Sequence, residues 1–257
     1  MKRKLTIIKV GGKIVETPDS LDALLHDFSM LEGHKVLVHG GGRTATQIAT
    51  QLGIESQMHN GRRITDAETL KVVTMVYAGL VNKQIVCGLQ ALGHNALGLT
   101  GADMDYMRSE KRPVGEIDYG FVGDVKEVRA DLLADLIEKG LTPVLSPLTH
   151  DGKGHLLNTN ADTIAGEAAK ALSRYFDVTL VYCFEKKGVL MKETDDDSVI
   201  PVINHDTFAQ YVQEGVVAGG MIPKLENAFQ AIEAGVQAVI ITRSDDLEGK
   251  NGTRVQA

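Results

Sequence analysis

Leu5-Thr6-Ile7-Ile8-Lys9-Val10 runs directly into Gly11-Gly12-Lys13. A short run with apolar residues on both faces suits a strand buried in a parallel sheet, because such a strand meets a covering layer on each side. Comparable runs recur at residues 36–39, 96–100, 143–145, 178–182 and 236–242. Helical spacing lies between them. Asp19-Ser20 precede Leu21, Leu24, Leu25 and Phe28, the i, i+3, i+4, i+7 positions of one face, and Gly33 stands near the end as a stop. Residues 130–139, 161–172, 206–213 and 224–234 repeat the theme. Strand and helix in alternation imply an α/β fold, a mainly parallel sheet covered by helices on both sides.

The 257 residues suffice for one large α/β domain or two small lobes. A new strand follows Ser173-Arg174, which places a lobe boundary there: residues 1–174 and 175–257, sharing one continuous sheet. The formal charge is −7 and the longest charge run, Asp195-Asp196-Asp197, is acidic, so no basic stripe offers itself to a nucleic acid. No apolar stretch approaches the roughly 20 residues of a membrane helix, and the chain begins with a strand rather than a signal core, so a cytoplasmic protein without a membrane partner is expected. Cys87 and Cys183 stand singly in apolar surroundings without C-x-x-C spacing, which predicts two buried, reduced thiols. The eight histidines show no metal-ligand spacing, and no protein-held metal is expected.

The stretch 66–91 is too long for an ordinary crossover helix and carries Val72, Val73, Val76, Leu80 and Ile85 on more than one side. Its second apolar face belongs either in a subunit interface or inside the monomer. Three interruptions, 53–64, 104–128 and 150–157 with its Asp151-Gly152 turn, read as hairpins able to arch over a site.

Several stretches suit an anion. Gly11-Gly12 at the carboxyl end of the first strand leave backbone N–H groups bare, and Lys9 adds a positive charge beside them. A glycine pair in this place also serves as a plain tight turn. The second strand ends in His39-Gly40-Gly41-Gly42 and enters a helix, a second amide-lined cradle on the same edge of the sheet. Neither cradle follows the G-x-x-x-x-G-K-S/T or G-x-G-x-x-G pattern, which argues against a Walker-type ATPase and a Rossmann dehydrogenase. Asn158-Thr159-Asn160-Ala161-Asp162 precedes a helix that Asn160 is placed to cap. Lys224 follows Gly219-Gly220-Met221-Ile222-Pro223 at a helix start, where the helix dipole disfavours a cation unless an anion is near; on a solvent-facing helix end it is an ordinary surface lysine.

Taken in order, K-V-G-G at 9–12, H-G-G-G at 39–42, N-G-R-R-I-T at 60–65, N-T-N-A-D at 158–162 and G-M-I-P-K at 220–224 resemble the amino acid kinase superfamily over essentially the whole chain, and within it the branch that acts on N-acetylglutamate. The resemblance implies an αβα sandwich of the amino acid kinase type, with the acyl-glutamate on the N-terminal half and ATP on the C-terminal half. It implies a kinase that phosphorylates the side-chain carboxylate of N-acetyl-L-glutamate to an acyl phosphate, an arginine-biosynthesis step, with Mg²⁺ carried by the ATP. A kinase for another N-acyl-glutamate such as N-succinyl-L-glutamate, or a noncatalytic ATP- and amino-acid-binding sensor of the same fold, is the alternative. By the same resemblance Lys9 and Lys224 act on the transferring phosphoryl group from two sides, Asp162 holds both lysines, and Gly11 and Gly12 contact the phosphates. Substrate contacts fall on Gly41, Gly42, Arg63 and Asn158. Nucleotide contacts fall on Glu185, Lys186, Lys187, Gly188, Val189, Leu190, Val216, Val217 and Ala218. Phosphoryl transfer depends mainly on positioning and charge neutralisation, for which two lysines and Mg²⁺ are suited. A carboxylate with pKa near ~4.3 is already ionised and needs no general base.

Two departures from the family pattern stand out. Where the family has L-T-D-V-x-G-V-L, this chain has Cys183-Phe184-Glu185-Lys186-Lys187-Gly188-Val189-Leu190. Arg62 replaces a leucine before the substrate arginine and either meets a second carboxylate on a bulkier acyl group or is a solvated surface residue. Family members inhibited by arginine carry an extra N-terminal helix ahead of the first strand. Here that strand begins near Leu5, and a homodimer through 66–91, insensitive to arginine, is expected.

Overall fold

In the computed structural model, which describes residues 2–59 and 61–257, the first strand spans Arg3–Val10 and is paired on both sides. Asn60, the first residue of the N-G-R-R-I-T motif, lies outside the described residues. The main sheet has eight strands in the order Val202–Ile203, Thr253–Val255, Ala238–Arg243, Phe176–Phe184, Arg3–Val10, His34–His39, Thr142–Leu145, Ala96–Leu99. All neighbours run parallel except Ala238–Arg243 with Thr253–Val255. Lys9 sits in register with Val38 on one side and Tyr182 on the other. A single sheet therefore contains strands from both sides of residue 174.

Side-chain alternation splits the core into two layers. Leu5 and Ile7 face a cluster with Leu133, Ile164, Ala168, Leu225 and Phe229, supplied by the helices Ala130–Glu138, Ala161–Leu172 and Met221–Glu233. Ile8 and Val10 face the opposite way, onto Leu24, Phe28, Val76 and Ile85 from Pro18–Met30 and the long helical stretch after Asp66. Ile7, Phe28 and Ile164 are completely buried, so trimming any of them to alanine costs about 2–5 kcal/mol. The αβα layering expected from the sequence is thus present, and it uses the parity of the first strand.

The 66–91 stretch is helical throughout but changes its bonding midway. Ala67–Val73 is α, Thr74–Val81 is π and Asn82–Ala91 is α. Asp66 caps its start, accepting from the Thr69 N–H at 2.7 Å. Val72, Val73, Val76, Tyr77, Val81 and Ile85 are buried, whereas Met75 (55%) and Leu80 (43%) stand exposed. The stretch Ala67–Ala91 is also long and apolar enough, at 25 residues, to pass for a membrane span by length and composition. This corrects the expectation that no segment comes near that length; its inner side packs on the sheet instead.

The expected hairpins are present. Met58–His59 pairs with Arg62–Arg63, Met107–Lys111 with Gly123–Val128, and Leu148–His150 with Leu156–Asn158, all antiparallel. The latter two join into a separate four-stranded sheet. Of the two thiols, Cys183 is buried and pushed up to about 12 by desolvation, but Cys87 is exposed. The expectation of two buried thiols fails at Cys87 because it lies on the outer side of the Asn82–Ala91 helix.

Candidate active site

Alternation along the first strand puts Lys9 on the same face as Leu5 and Ile7, towards the helix Ala161–Leu172. That helix starts where Asn160 accepts from the N–H groups of Asp162 and Thr163, which fixes Asp162 in the first turn. Lys9 Nζ and Asp162 Oδ1 are consequently 2.6 Å apart, with side chains 9% and 17% exposed. The oxygen is buried, and the contact pairs an ammonium with a carboxylate.

Lys224 arrives from the first turn of Met221–Glu233. Its ammonium lies 3.6 Å from the centroid of the Phe184 ring, and that of Lys9 lies 5.2 Å from the same ring. Burial lowers the Lys224 pKa and the Lys9 charge adds to the effect, while Asp162 acts in the opposite direction. The structure thus brings Lys9, Asp162 and Lys224 to one place although they are far apart in the sequence.

Gly11, Gly12, Gly42, Arg63, Glu185, Lys186, Gly188 and Lys224 line a cavity of about 570 Å³. A second cavity, about 190 Å³, is lined by Gly41, Gly42, Arg62, Arg63, Tyr77 and Asn158, among others. The two share Gly42, Met58 and Arg63 as a common wall. Lys9 and Asp162 line neither cavity and pair with each other behind Phe184, while Glu185 on the first wall is engaged by Lys13 at 2.8 Å, which holds its carboxyl below the ordinary range.

Arg63 is buried, and its guanidinium donates to Ser56 Oγ, the Gly42 carbonyl and Thr46 Oγ1, each at 2.8 Å. These bonds use both Nη2 donors and one of Nη1, and the Tyr77 hydroxyl bonds the same guanidinium. Asn158 donates to Thr65 Oγ1 at 2.9 Å, which leaves its amide oxygen as an acceptor. The glycine turn is anchored by His39, a buried residue whose Nδ1 lies 2.7 Å from the Gly40 carbonyl. Asn82 donates to His39 Nε2 at 3.1 Å and to the Val144 carbonyl at 3.0 Å. The ring must therefore carry its proton on Nδ1 and stay neutral; burial lowers its pKa to about 4. Gly41 adopts φ of +153°, and a Cβ there would stand 3.0 Å from Tyr77 Cδ1.

Not every residue named from the sequence reaches these walls. Lys187 turns away to pair with Asp197 at 2.5 Å and lines a separate cavity. Val189, Leu190 and Val217 are buried in the core, and Val216 and Ala218 lie off both cavity walls. Ser56, Thr46, Tyr77 and Phe184 do take part and escaped notice in the sequence. Only Phe184 left a trace there, as the residue replacing a threonine of the family pattern.

Comparison with protein-family profiles matches residues 4–243 to the Amino acid kinase family. The chain is 71% identical to the acetylglutamate kinase of Parabacteroides distasonis over 252 residues, which is 98% of this chain and 99% of that protein. It is also 71% identical over 256 residues to the acetylglutamate kinase of Bacteroides thetaiotaomicron, covering both chains fully at 100%. Among solved structures, smu.665 from Streptococcus mutans UA159 superposes with a TM-score of 0.81 at 27% identity, covering 98% of each chain. With the five motifs in register and the sheet built around Lys9, the chain belongs to the amino acid kinase family.

Proposed function

We propose that this chain transfers the γ-phosphoryl group of ATP to the side-chain carboxylate of N-acetyl-L-glutamate, an arginine-biosynthesis step. The names of its full-length relatives support the substrate. The observation that carries the chemistry is the pair of cavities sharing Gly42, Met58 and Arg63, with Lys224 on the wall of one and the Lys9–Asp162 pair beside it.

In this reading the acyl-glutamate occupies the smaller cavity, its α-carboxylate against the positive charge of Arg63 and its amide on Asn158 and the glycine N–H groups. ATP lies along Gly11, Gly12 and Gly188. A carboxylate oxygen attacks the γ-phosphorus, a new P–O bond forms, the bond to the bridging oxygen of ADP breaks, and ADP leaves with that electron pair. Lys9 and Lys224 neutralise the charge spread over the equatorial oxygens, and Asp162 keeps Lys9 in place. Mg²⁺ carried by the nucleotide would supply further charge neutralisation on the phosphates. Two copies of the chain pair through the outer face of the 67–91 helix, where Met75 and Leu80 are exposed. Light scattering that gives a monomer rejects the pairing.

Coupled ADP release with N-acetyl-L-glutamate, run beside hydroxylamine trapping of the acyl phosphate, tests the reaction. ADP and hydroxamate are expected in equal amounts. ATP binding without either product would make the chain a sensor and refute the proposal.

A further inference from the structure

The Lys9–Asp162 pair leaves the second lysine under the field of Asp162 but without a direct carboxylate contact. Asp162 Oδ1 is occupied by Lys9 at 2.6 Å, and among the described residues no carboxylate lies within ion-pair distance of Lys224. Lys224 nonetheless stays beside a like charge in a largely dehydrated position. What touches it is the Phe184 ring, at 3.6 Å from ammonium to centroid.

We infer that Phe184 is a positioning residue of the phosphoryl-transfer site, its ring face holding the Lys224 ammonium where the phosphate arrives. The negative face of an aromatic ring attracts a cation, most strongly where water is excluded, and unlike a second carboxylate it adds no net charge to repel the nucleotide. Parity delivers the ring: Tyr182 and Phe184 project from the face of Phe176–Phe184 that Lys9 shares, with Lys9 in register beside Tyr182. The ring is fixed in turn, lying 6.2 Å from the Tyr182 ring at an interplanar angle of 10°. The Tyr182 hydroxyl donates to the Asp162 carbonyl at 3.3 Å, so the same strand braces the partners of both lysines.

The role of Phe184 rests on the proposed kinase activity, and its test keeps the two apart. Steady-state rates are measured with ATP and N-acetyl-L-glutamate for wild type, Phe184→Leu and Phe184→Tyr, each also in a Lys224→Met background. Leucine fills the space without the ring, and its kcat is expected to fall about tenfold while the KM for the acyl amino acid stays within about twofold. Tyrosine restores kcat. In the Lys224→Met background Phe184→Leu costs clearly less, the remainder being what the ring lends to the more distant Lys9. Wild-type kcat in Phe184→Leu, or an equal loss with and without Lys224, overturns the inference. A readout without turnover uses protein whose lysines carry ¹³C-dimethyl groups. The Lys224 signal is shifted by the ring current in wild type and Phe184→Tyr and returns to the ordinary lysine position in Phe184→Leu; an unshifted wild-type signal overturns the inference. A wild type that releases no ADP defeats the kinase reading alone, and the Lys224 signal then decides the role of the ring.

Discussion

Asp162 Oδ1 and Lys9 Nζ stand 2.6 Å apart and largely out of water. Removing one charge from such a pair strands the other. Asp162→Asn is expected to lower kcat by at least about 100-fold and stability by about 3 kcal/mol, the latter measured by urea unfolding. Adding Lys9→Met should recover part of the stability and none of the activity. A double variant no more stable than Asp162→Asn would show that the pairing is not what the fold loses.

Arg63 ties the hairpin and the glycine turn together through Ser56, Thr46 and Gly42. Lysine cannot reproduce a planar fork with five donors. Arg63→Lys should raise the KM for N-acetyl-L-glutamate by about 10-fold or more and leave that for ATP within about twofold. Equal changes in both constants would mean that the guanidinium serves the fold rather than the acceptor.

Arg62 is exposed, yet it lines the smaller cavity beside Arg63. Arg62→Leu should leave kcat/KM for N-acetyl-L-glutamate within about twofold and cut that for N-succinyl-L-glutamate about tenfold, because only the latter offers a second carboxylate. Unchanged rates on both substrates would return Arg62 to the solvated surface.

His39 is neutral and buried, with a pKa lowered by desolvation from the ordinary 6.5 to about 4. The unfolded chain takes up this proton first as pH falls, so the stability contribution is complete above pH 6.5 and is lost on descending towards about 4. At about 1.4 kcal/mol per pH unit the loss amounts to roughly 3 kcal/mol. His39→Gln, which does not titrate, should flatten the pH dependence of unfolding free energy across that interval. A slope equal to that of wild type would assign the acid sensitivity to other groups.

Gly41 combines φ of +153° with a Cβ position 3.0 Å from the Tyr77 ring. Gly41→Ala is expected to destabilise by about 1–3 kcal/mol and to raise the KM for the acyl amino acid, both read from thermal melts and kinetics. Tyr77→Ala in the same chain should relieve part of the crowding, but not the backbone strain.

The layered fold was legible in the sequence because its strands are short apolar runs with a clear parity, as in Leu5 to Val10, and its helices carry one-sided stripes such as Leu21, Leu24, Leu25 and Phe28. Lys9, Asp162 and Lys224 were legible only through the motifs in which they stand. Nothing in the periodicity says that a lysine in a first helical turn will reach a residue of the first strand. Phe184, Tyr77, Ser56 and Thr46 were hidden for a related reason. Aromatic and small hydroxyl residues are ordinary core and turn constituents, and only tertiary contact shows that Phe184 lies under two ammonium groups. Motif correspondence likewise cannot tell that the Lys187 side chain turns to Asp197 or that Val217 is buried.

The π-bonded segment Thr74–Val81 gives the long helix a place to absorb a change of length. A π segment carries surplus chain relative to an α-helix, so deleting one residue there returns the backbone to α bonding while the flanking turns keep nearly their phase. Asn82 would then keep its reach to His39 and the Val144 carbonyl. Each residue of an α-helix turns the chain by about 100°, so the same deletion just after Asn82, where no surplus is stored, would swing Ile85 and Leu89 off the core. Indels between Thr74 and Val81 should therefore be better tolerated than indels in the α-bonded turns that follow.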